Sequence, residues 1–354
     1  FGSHPVAILS DMRTPKWYDA PVTPPPPRMR PTLLTSRQHT ADRVARGDHG
    51  HGSAPAHLGC RVMEIGTPTD SVDLEALFAA IQATDGTAAM TEYQMMRRGR
   101  RGKASGIVAM MGSAAIGYAQ VAHHSGGGVD SPPHWAIEIA VDPQQRTPEV
   151  YDSLVAAAAA LVPTGERFVI WAWHRELEAA LSRAGYTPTR ELHRLECPLP
   201  VGATADAMPG VVVKPFAIGR DEKPWLAVNN AAFAGHPENG ALTVGDLDER
   251  LRRPWFNPAD LLMAWEGSDL LGSCWTKHHP DGVGEIYIIG VSPHAQGRGL
   301  GRGLVIHGLE HLYRTGAVRG MLYVDGANEA AMWLYSDLGF RPVWTNRQYE
   351  RGAE

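Results

Sequence analysis

At 354 residues and 38.4 kDa the chain is long enough for about two domains, each able to bury its own core. Lys and Arg number 33 against 38 Asp and Glu, a net charge of −5, so no basic excess points to nucleic acid or an anionic membrane. Cys60, Cys197 and Cys274 are too scattered for a disulfide scaffold or a zinc ribbon, and no HExxH accompanies the histidine pairs His123-His124 and His278-His279, which read as solvated loop residues. The apolar run Leu154–Val162 falls far short of the ~20 residues that span a bilayer. The N-terminus lacks the basic start and apolar run of a signal peptide. A soluble cytoplasmic protein, binding neither membrane nor nucleic acid and monomeric, is expected.

Residues 1–60 carry the Pro24–Pro27 run and the tract GDHGHGSAPAH at Gly47–His57, without a sustained apolar period. They read as a disordered extension; His49, His51 and His57 are either loose low complexity or a weak metal site. From Arg61 the pattern becomes globular. A helix is predicted over Ser71–Thr84, capped by Ser71, then strands over Ile107–Met111, Ala115–Ala122 and Trp135–Val141. A helix over Pro148–Leu161, a strand over Arg167–Trp173 and a helix over Glu176–Ala184, closed by Gly185, complete the first half.

The second half repeats this order. Helix Pro224–Phe233 precedes strands Leu261–Trp265, Leu271–Lys277 and Glu285–Val291, helix Gly299–Thr315, strand Gly320–Val324 and helix Glu329–Leu338. V-D-P at Val141–Pro143 matches V-S-P at Val291–Pro293, and A-G-Y at Ala184–Tyr186 matches L-G-F at Leu338–Phe340, at offsets of 150 and 154 residues. The sequence therefore predicts a tandem of one mixed α/β (α+β) fold, with domains at 61–200 and 211–354 joined by a linker over Cys197–Gly210.

Strand IYIIGV, turn SPHA and the helix opening QGRGLGRG form the most specific segment, with Gln296, Gly299 and Gly301 as Q-x-x-G-x-G. Glycines let the backbone approach a ligand, the helix N-terminus favours an anion, and Arg298 and Arg302 can pair with phosphate oxygens. Plain packing is the other use of such a turn. Neither G-x-G-x-x-G nor G-x-x-x-x-G-K-[ST] is present, so dinucleotide and nucleoside triphosphate readings recede. Downstream, Asn328, Ala331, Met332 and Tyr335 share one helix face. Tyr335 is either a core aromatic or a catalytic hydroxyl; Glu285, opening an otherwise apolar strand, reads as functional.

Strand, Q-x-x-G-x-G helix, strand, then N-x-x-A-x-x-x-Y with a terminal G-F resembles the GNAT superfamily of acetyl-CoA-dependent N-acetyltransferases. VNNAAFAGHPENG (Val228–Gly240), PWFNP (Pro254–Pro258), WTKH (Trp275–His278) and GEIYIIGV (Gly284–Val291) further resemble the mycothiol synthase family, tandem GNAT proteins, over about residues 61–354. The resemblance implies acetyl-CoA as co-substrate, no metal, and contacts at Ile289, Gly290, Val291, Gln296, Gly297, Arg298, Gly299, Leu300, Gly301, Arg302, Tyr323, Asn328, Glu329, Ala330, Ala331, Met332 and Trp333. It implies a small pseudodisaccharide amine as acceptor, held by Glu92, Glu238, Lys277 and Glu285, with Glu285 as base and Tyr335 as acid. Glu92, Glu238 and Lys277 could equally be solvated surface charges. In the first half QQRTPE (Gln144–Glu149) replaces QGRGLG; with no glycine and with Glu149 at the helix start, a non-catalytic first half is expected.

Overall fold

The computed structural model describes residues 63–68, 72–98, 104–124, 132–204, 208–234, 236 and 240–351. The extension 1–60, its histidines, Ser71 and Glu238 lie outside the described residues.

The first half runs β1 (Met63–Gly66), α1 (Leu74–Asp85), α2 (Glu92–Arg97), β2 (Ala104–Met111), β3 (Ala114–His124), β4 (His134–Val141), α3 (Pro148–Ala159), β5 (Phe168–Ala172), α4 (Arg175–Arg183) and β6 (Tyr186–Pro198). The second repeats the same order: β7 (Val211–Pro215), α5 (Glu222–Ala232), α6 (Val244–Leu251), β8 (Leu261–Glu266), β9 (Asp269–His278), β10 (Val283–Val291), α7 (Leu300–Arg314), β11 (Arg319–Asp325), α8 (Glu329–Asp337) and β12 (Arg341–Arg351). Local chemistry sets these boundaries. Asp73, rather than Ser71, caps α1 by accepting from Ala76 N–H at 3.0 Å, so the helix starts later than its sequence pattern predicts. Thr243 and Asp246 form a reciprocal capping box on α6. Gly185 and Gly339, at φ +83° and +89°, end α4 and α8 in matching left-handed turns.

The twelve strands of the described residues form one sheet, in the order β1-β2-β3-β4-β5-β12-β6-β11-β10-β9-β8-β7. The terminal strands are exchanged. β12 leaves its own half to pair with β5, and β6 pairs with β11, while β6 and β12 form the central antiparallel seam from Tyr186↔Arg351 to Glu196↔Arg341. The expected linker is therefore shorter: Cys197 lies in β6, opposite Gly320 of β11, and is buried. The cores follow the exchange. Tyr349 of β12 packs in the first-half core with Ile170, Leu177 and Leu181. Leu195 and Cys197 of β6 pack in the second-half core with Leu309, Leu322 and Phe340. The described residues accordingly form one compact unit.

Candidate active site

Among the described residues only two neighbouring strand pairs run parallel, β4–β5 and β10–β11, one in each half. Both separate toward their C-terminal ends. The β10–β11 register stops at Ile286↔Leu322 although β10 continues to Val291, leaving Tyr287–Val291 bonded only on the β9 side. A bulge between Ile286 and Ile288 adds one residue to β10 at the start of this opening, re-aiming its main-chain groups. Ile289, Gly290 and Val291 lie along this opened edge.

Beyond Val291 the chain turns into α7. Gln296 Nε2 donates to the Val291 carbonyl at 3.4 Å and closes the loop. Gly297 and Gly299 take φ of +74° and +76°, and a Cβ at either would meet nothing within 4 Å, so the backbone there faces open space. Gly299 is the N-cap and has no side chain to satisfy the first-turn N–H groups of Leu300, Gly301 and Arg302. This is a ready anion site on a long helix. Arg298 and Arg302 meanwhile pair with Glu266 (2.6 Å) and Asp337 (2.7 Å) at the surface, pairs loose enough to yield to a phosphate. The residues present thus fit the pyrophosphate of an acyl-CoA.

Glu285 is 8 % exposed and sits opposite Lys277 in the β9–β10 register. Its Oε2 lies 2.7 Å from His279 Nε2, which corrects the reading of that histidine as a solvated loop residue. The other histidine pair is corrected likewise: His124 is buried, stacked between Tyr93 and His134. Lys277 Nζ lies over the rings of Trp255 (4.4 Å) and Tyr287 (5.1 Å) and donates to Glu92 Oε2 at 3.0 Å. Trp255 Nε1 donates to Glu92 Oε1 at 2.9 Å. Glu92 comes from the first half, at the start of α2. It is placed there by Glu138, whose carboxylate accepts from the main-chain N–H and hydroxyl of Thr91, the α2 N-cap, at 2.8 and 2.6 Å. Neither Glu92 nor Lys277 is a solvated surface charge. Burial works against the Glu92 carboxylate, but the Lys277 charge and the Lys277, Trp255 and Tyr287 donors outweigh it and hold its pKa below the ordinary value. Trp255 and Tyr287 escaped the sequence reading as site residues, although both stand in the segments PWFNP and GEIYIIGV that it singled out.

Tyr335 lies on α8, 7 % exposed, edge-on to Phe340 at 5.7 Å. Burial pushes its phenol pKa up, and the charged form is further disfavoured by Cys274, the cross-strand partner of Ile289. Asn328 caps α8, its Oδ1 accepting from Ala331 N–H at 3.0 Å. In the following turns Ala331 is buried, Ala330, Met332 and Trp333 are half-buried, and Glu329 faces solvent. Tyr323 stands on β11, 39 % exposed, close enough to Glu285 for that charge to disfavour its phenolate form.

The first half shows what the second would be without these features. No bulge interrupts β4 against β3. Arg146, equivalent to Gln296, donates to the Val141 carbonyl at 3.3 Å but spends its remaining donors on a bidentate pair with Asp85. The carboxylate of Glu149 accepts from its own main-chain N–H and the Thr147 hydroxyl, which lowers its pKa and places an anion at the start of α3. Tyr335 falls on buried Leu181 at the offset of 154, and Glu285 on Ala136 once the bulge is allowed for.

An opened parallel pair, a bulge at its fork and a glycine-led, uncapped helix beyond it define an N-acetyltransferase of GNAT type. The model of the acetyltransferase (GNAT) family matches residues 227–340. The GCN5-related N-acetyltransferase of Sphaerobacter thermophilus superposes with a TM-score of 0.59 over 82 % of this chain and 97 % of that one, at 20 % identity. A tandem GNAT protein from the clavulanic acid biosynthesis pathway gives 0.58 over 83 % and 100 %, at 16 % identity; both share the fold. Mycothiol acetyltransferases of Streptomyces avermitilis (38 % identical over 80 % of this chain and 92 % of the relative) and Thermobispora bispora (38 %, over 80 % and 97 %) match in sequence. The chain belongs to the mycothiol acetyltransferase family.

Proposed function

We propose that this protein transfers the acetyl group of acetyl-CoA to the cysteinyl amine of 1D-myo-inositol 2-(L-cysteinylamino)-2-deoxy-glucopyranoside, releasing mycothiol and CoA. The observation that carries this reading is the closure of a first-half carboxylate, Glu92, onto Lys277 and Trp255 beside Glu285. That arrangement needs both halves and supports a small polar acceptor rather than a peptide.

An α-amino group has a pKa of ~8, so a moderate base suffices near neutrality. Glu285 takes the amine proton, directly or through a water. The amine nitrogen attacks the thioester carbon, whose oxygen is polarised by main-chain N–H groups freed near Val291. Tyr335, kept protonated by burial, supplies the proton to the departing thiolate. Glu92 and Lys277 hold acceptor hydroxyls, which orients the amine rather than the thiol toward the thioester. Glu238 is proposed for the same task. The first half, its anion site filled by Glu149 and the Arg146–Asp85 pair, braces this cleft without turning over substrate.

No described helix is long and apolar enough to cross a membrane, and among the described residues no group of His, Cys, Asp and Glu is placed to hold a metal ion. Cys197 and Cys274 are free, buried thiols, in keeping with a reducing compartment. The decisive experiment is a mass-spectrometric assay of the purified protein with acetyl-CoA and the cysteinyl conjugate, run beside an aminoglycoside and a lysine peptide. Acetylation of the conjugate's amine is expected. Turnover confined to another amine, or none at all, would replace the acceptor or the enzymatic reading.

A further inference from the structure

α5 ends where β10 opens. Trp225 Nε1 donates to Ser273 Oγ at 3.0 Å, and Ser273 is the cross-strand partner of Gly290, so the helix is pinned to the sheet beside the opened edge. Near the other end of α5, Asn230 clasps the main chain of Leu242 twice, its Nδ2 donating to the carbonyl at 2.9 Å and its Oδ1 accepting the N–H at 3.1 Å. Phe233 closes the helix, its N–H donating to the Asn229 carbonyl at 2.9 Å. Held this way, the last turn presses on Gly290. A Cβ on that glycine would lie 3.1 Å from Ala232 Cβ and 3.3 Å from Phe233 Cε2, inside the ~3.5–4.0 Å at which carbon atoms pack best. Glycine at 290 therefore lets the aromatic ring rest on the strand's own backbone.

The ring stands beside the path of the acyl donor. An acyl-CoA held by the first turn of α7 extends back along Val291, Gly290 and Ile289 toward the fork, where β10 and β11 rejoin at Ile286↔Leu322. Ile289 and Val291 face the α7 layer, with Leu300 and Leu304, while Ile288 and Gly290 face α5. Trp275 lies in the α5 cluster with Ile288, and Lys277, two residues on along β9, shares its face. Glu285, opposite Lys277, is on that face too. The acceptor amine thus arrives from the α5 side. Phe233 marks the boundary between it and the acyl group, with paired strands ahead and the α7 layer behind.

We propose that Phe233, seated with Ala232 on Gly290, sets the length of the acyl group transferred: acetyl fits, and propionyl and longer chains are turned away. The inference rests on the acetyl-transfer reading of the opened edge. An apolar pocket discriminates one methylene by ~10- to 200-fold, because close-packed walls do not yield to it. A two-carbon group leaves the amine its approach; each further carbon has to displace the ring or occupy the acceptor's place.

The test measures kcat/KM for acetyl-, propionyl- and butyryl-CoA with the cysteinyl conjugate in the wild type, Phe233→Leu and Phe233→Ala. Calorimetric Kd values for the three thioesters and free CoA are taken without acceptor. The wild type should favour acetyl- over propionyl-CoA by about 10-fold or more, and over butyryl-CoA by more again. That preference should shrink in Phe233→Leu and be about 10-fold weaker in Phe233→Ala, in both the rates and the thioester affinities. Free CoA should bind all three proteins alike. Phe233→Leu keeps an apolar side chain at the end of α5, so the series stays readable if the alanine loosens the helix. Equal acyl preferences in all three proteins, a change confined to the KM of the conjugate, or a wild type that takes butyryl-CoA as readily as acetyl-CoA would each overturn the assignment. No turnover of the conjugate by any of the three defeats the acceptor reading instead, and the thioester affinities then decide for or against Phe233.

Discussion

Two side chains divide the proposed proton traffic, and their surroundings give them different pH signatures. If Glu285 assists the amine, Glu285→Gln should lose most at pH 6–7, where an amine of pKa ~8 is mostly protonated, and recover part of its rate toward pH 9. Tyr335 behaves otherwise because burial raises its phenol pKa, so the donor form is fully populated across that whole range. Tyr335→Phe should therefore lower kcat by ~10²–10⁴ at every pH, with little change in the KM for acetyl-CoA. Steady-state profiles of both variants are the measurement; an unaffected Tyr335→Phe would return the ring to a packing role against Phe340. The sequence marked both residues because each breaks a local pattern: a carboxylate heading an apolar strand, and a tyrosine on the face of Asn328. His279 was passed over for the opposite reason. It stands beside a Pro-Asp-Gly turn, where polar residues are ordinary, and only the hairpin register brings it to Glu285.

The opened end of β10 and the start of α7 act as one device, and its glycines are the part that side-chain chemistry cannot replace. Gly299→Glu would impose a side chain at φ +76° and put a carboxylate where the first-turn N–H groups await an anion. Acetyl-CoA binding should be abolished, while the same titration of the wild type should give a single site per chain. Two comparable sites would show that Glu149 and the Arg146–Asp85 pair do not disable the first half. Most elements were legible from period and turn residues, but β6 and β12 were not. Across the seam Arg190, Leu192 and Arg194 pair with Gln348, Asn346 and Trp344, and Asn346 and Gln348 are polar yet buried, so neither strand shows the apolar alternation of a half-buried strand. The bulge in β10 was equally silent, because one extra residue in IYIIGV leaves no compositional trace.

At the scale of the molecule, the halves are joined in two ways with different sensitivities. The first is electrostatic. The Glu92 pKa is depressed in the folded protein, so its contribution to stability is complete above the ordinary value of 4.5 and is lost as pH falls from there through the lower folded value. Glu92→Gln, which leaves Lys277 unpaired and largely buried, should cost about 1–3 kcal/mol at pH 7. The difference from wild type should stay level down to pH 5 and shrink below 4.5; chemical denaturation at several pH values would reveal a pH-independent gap if the pair were idle. The second link is covalent and topological. Because β12 completes the first-half sheet and β6 the second-half sheet, neither core is finished by its own stretch of chain. The full protein should unfold in one cooperative transition. Tyr349→Ala, twelve residues beyond the end of α8 in the second half, should destabilise the first half, by about 3–5 kcal/mol for a buried aromatic. Hydrogen exchange locates the effect. Protection should fall in β4 and β5, residues 134–172, because Tyr349 packs on Ile170 there, while β10 and β11 keep theirs longer. Loss centred on β10 and β11, or two separate melting transitions in the wild type, would mean that each half holds its own last strand in solution.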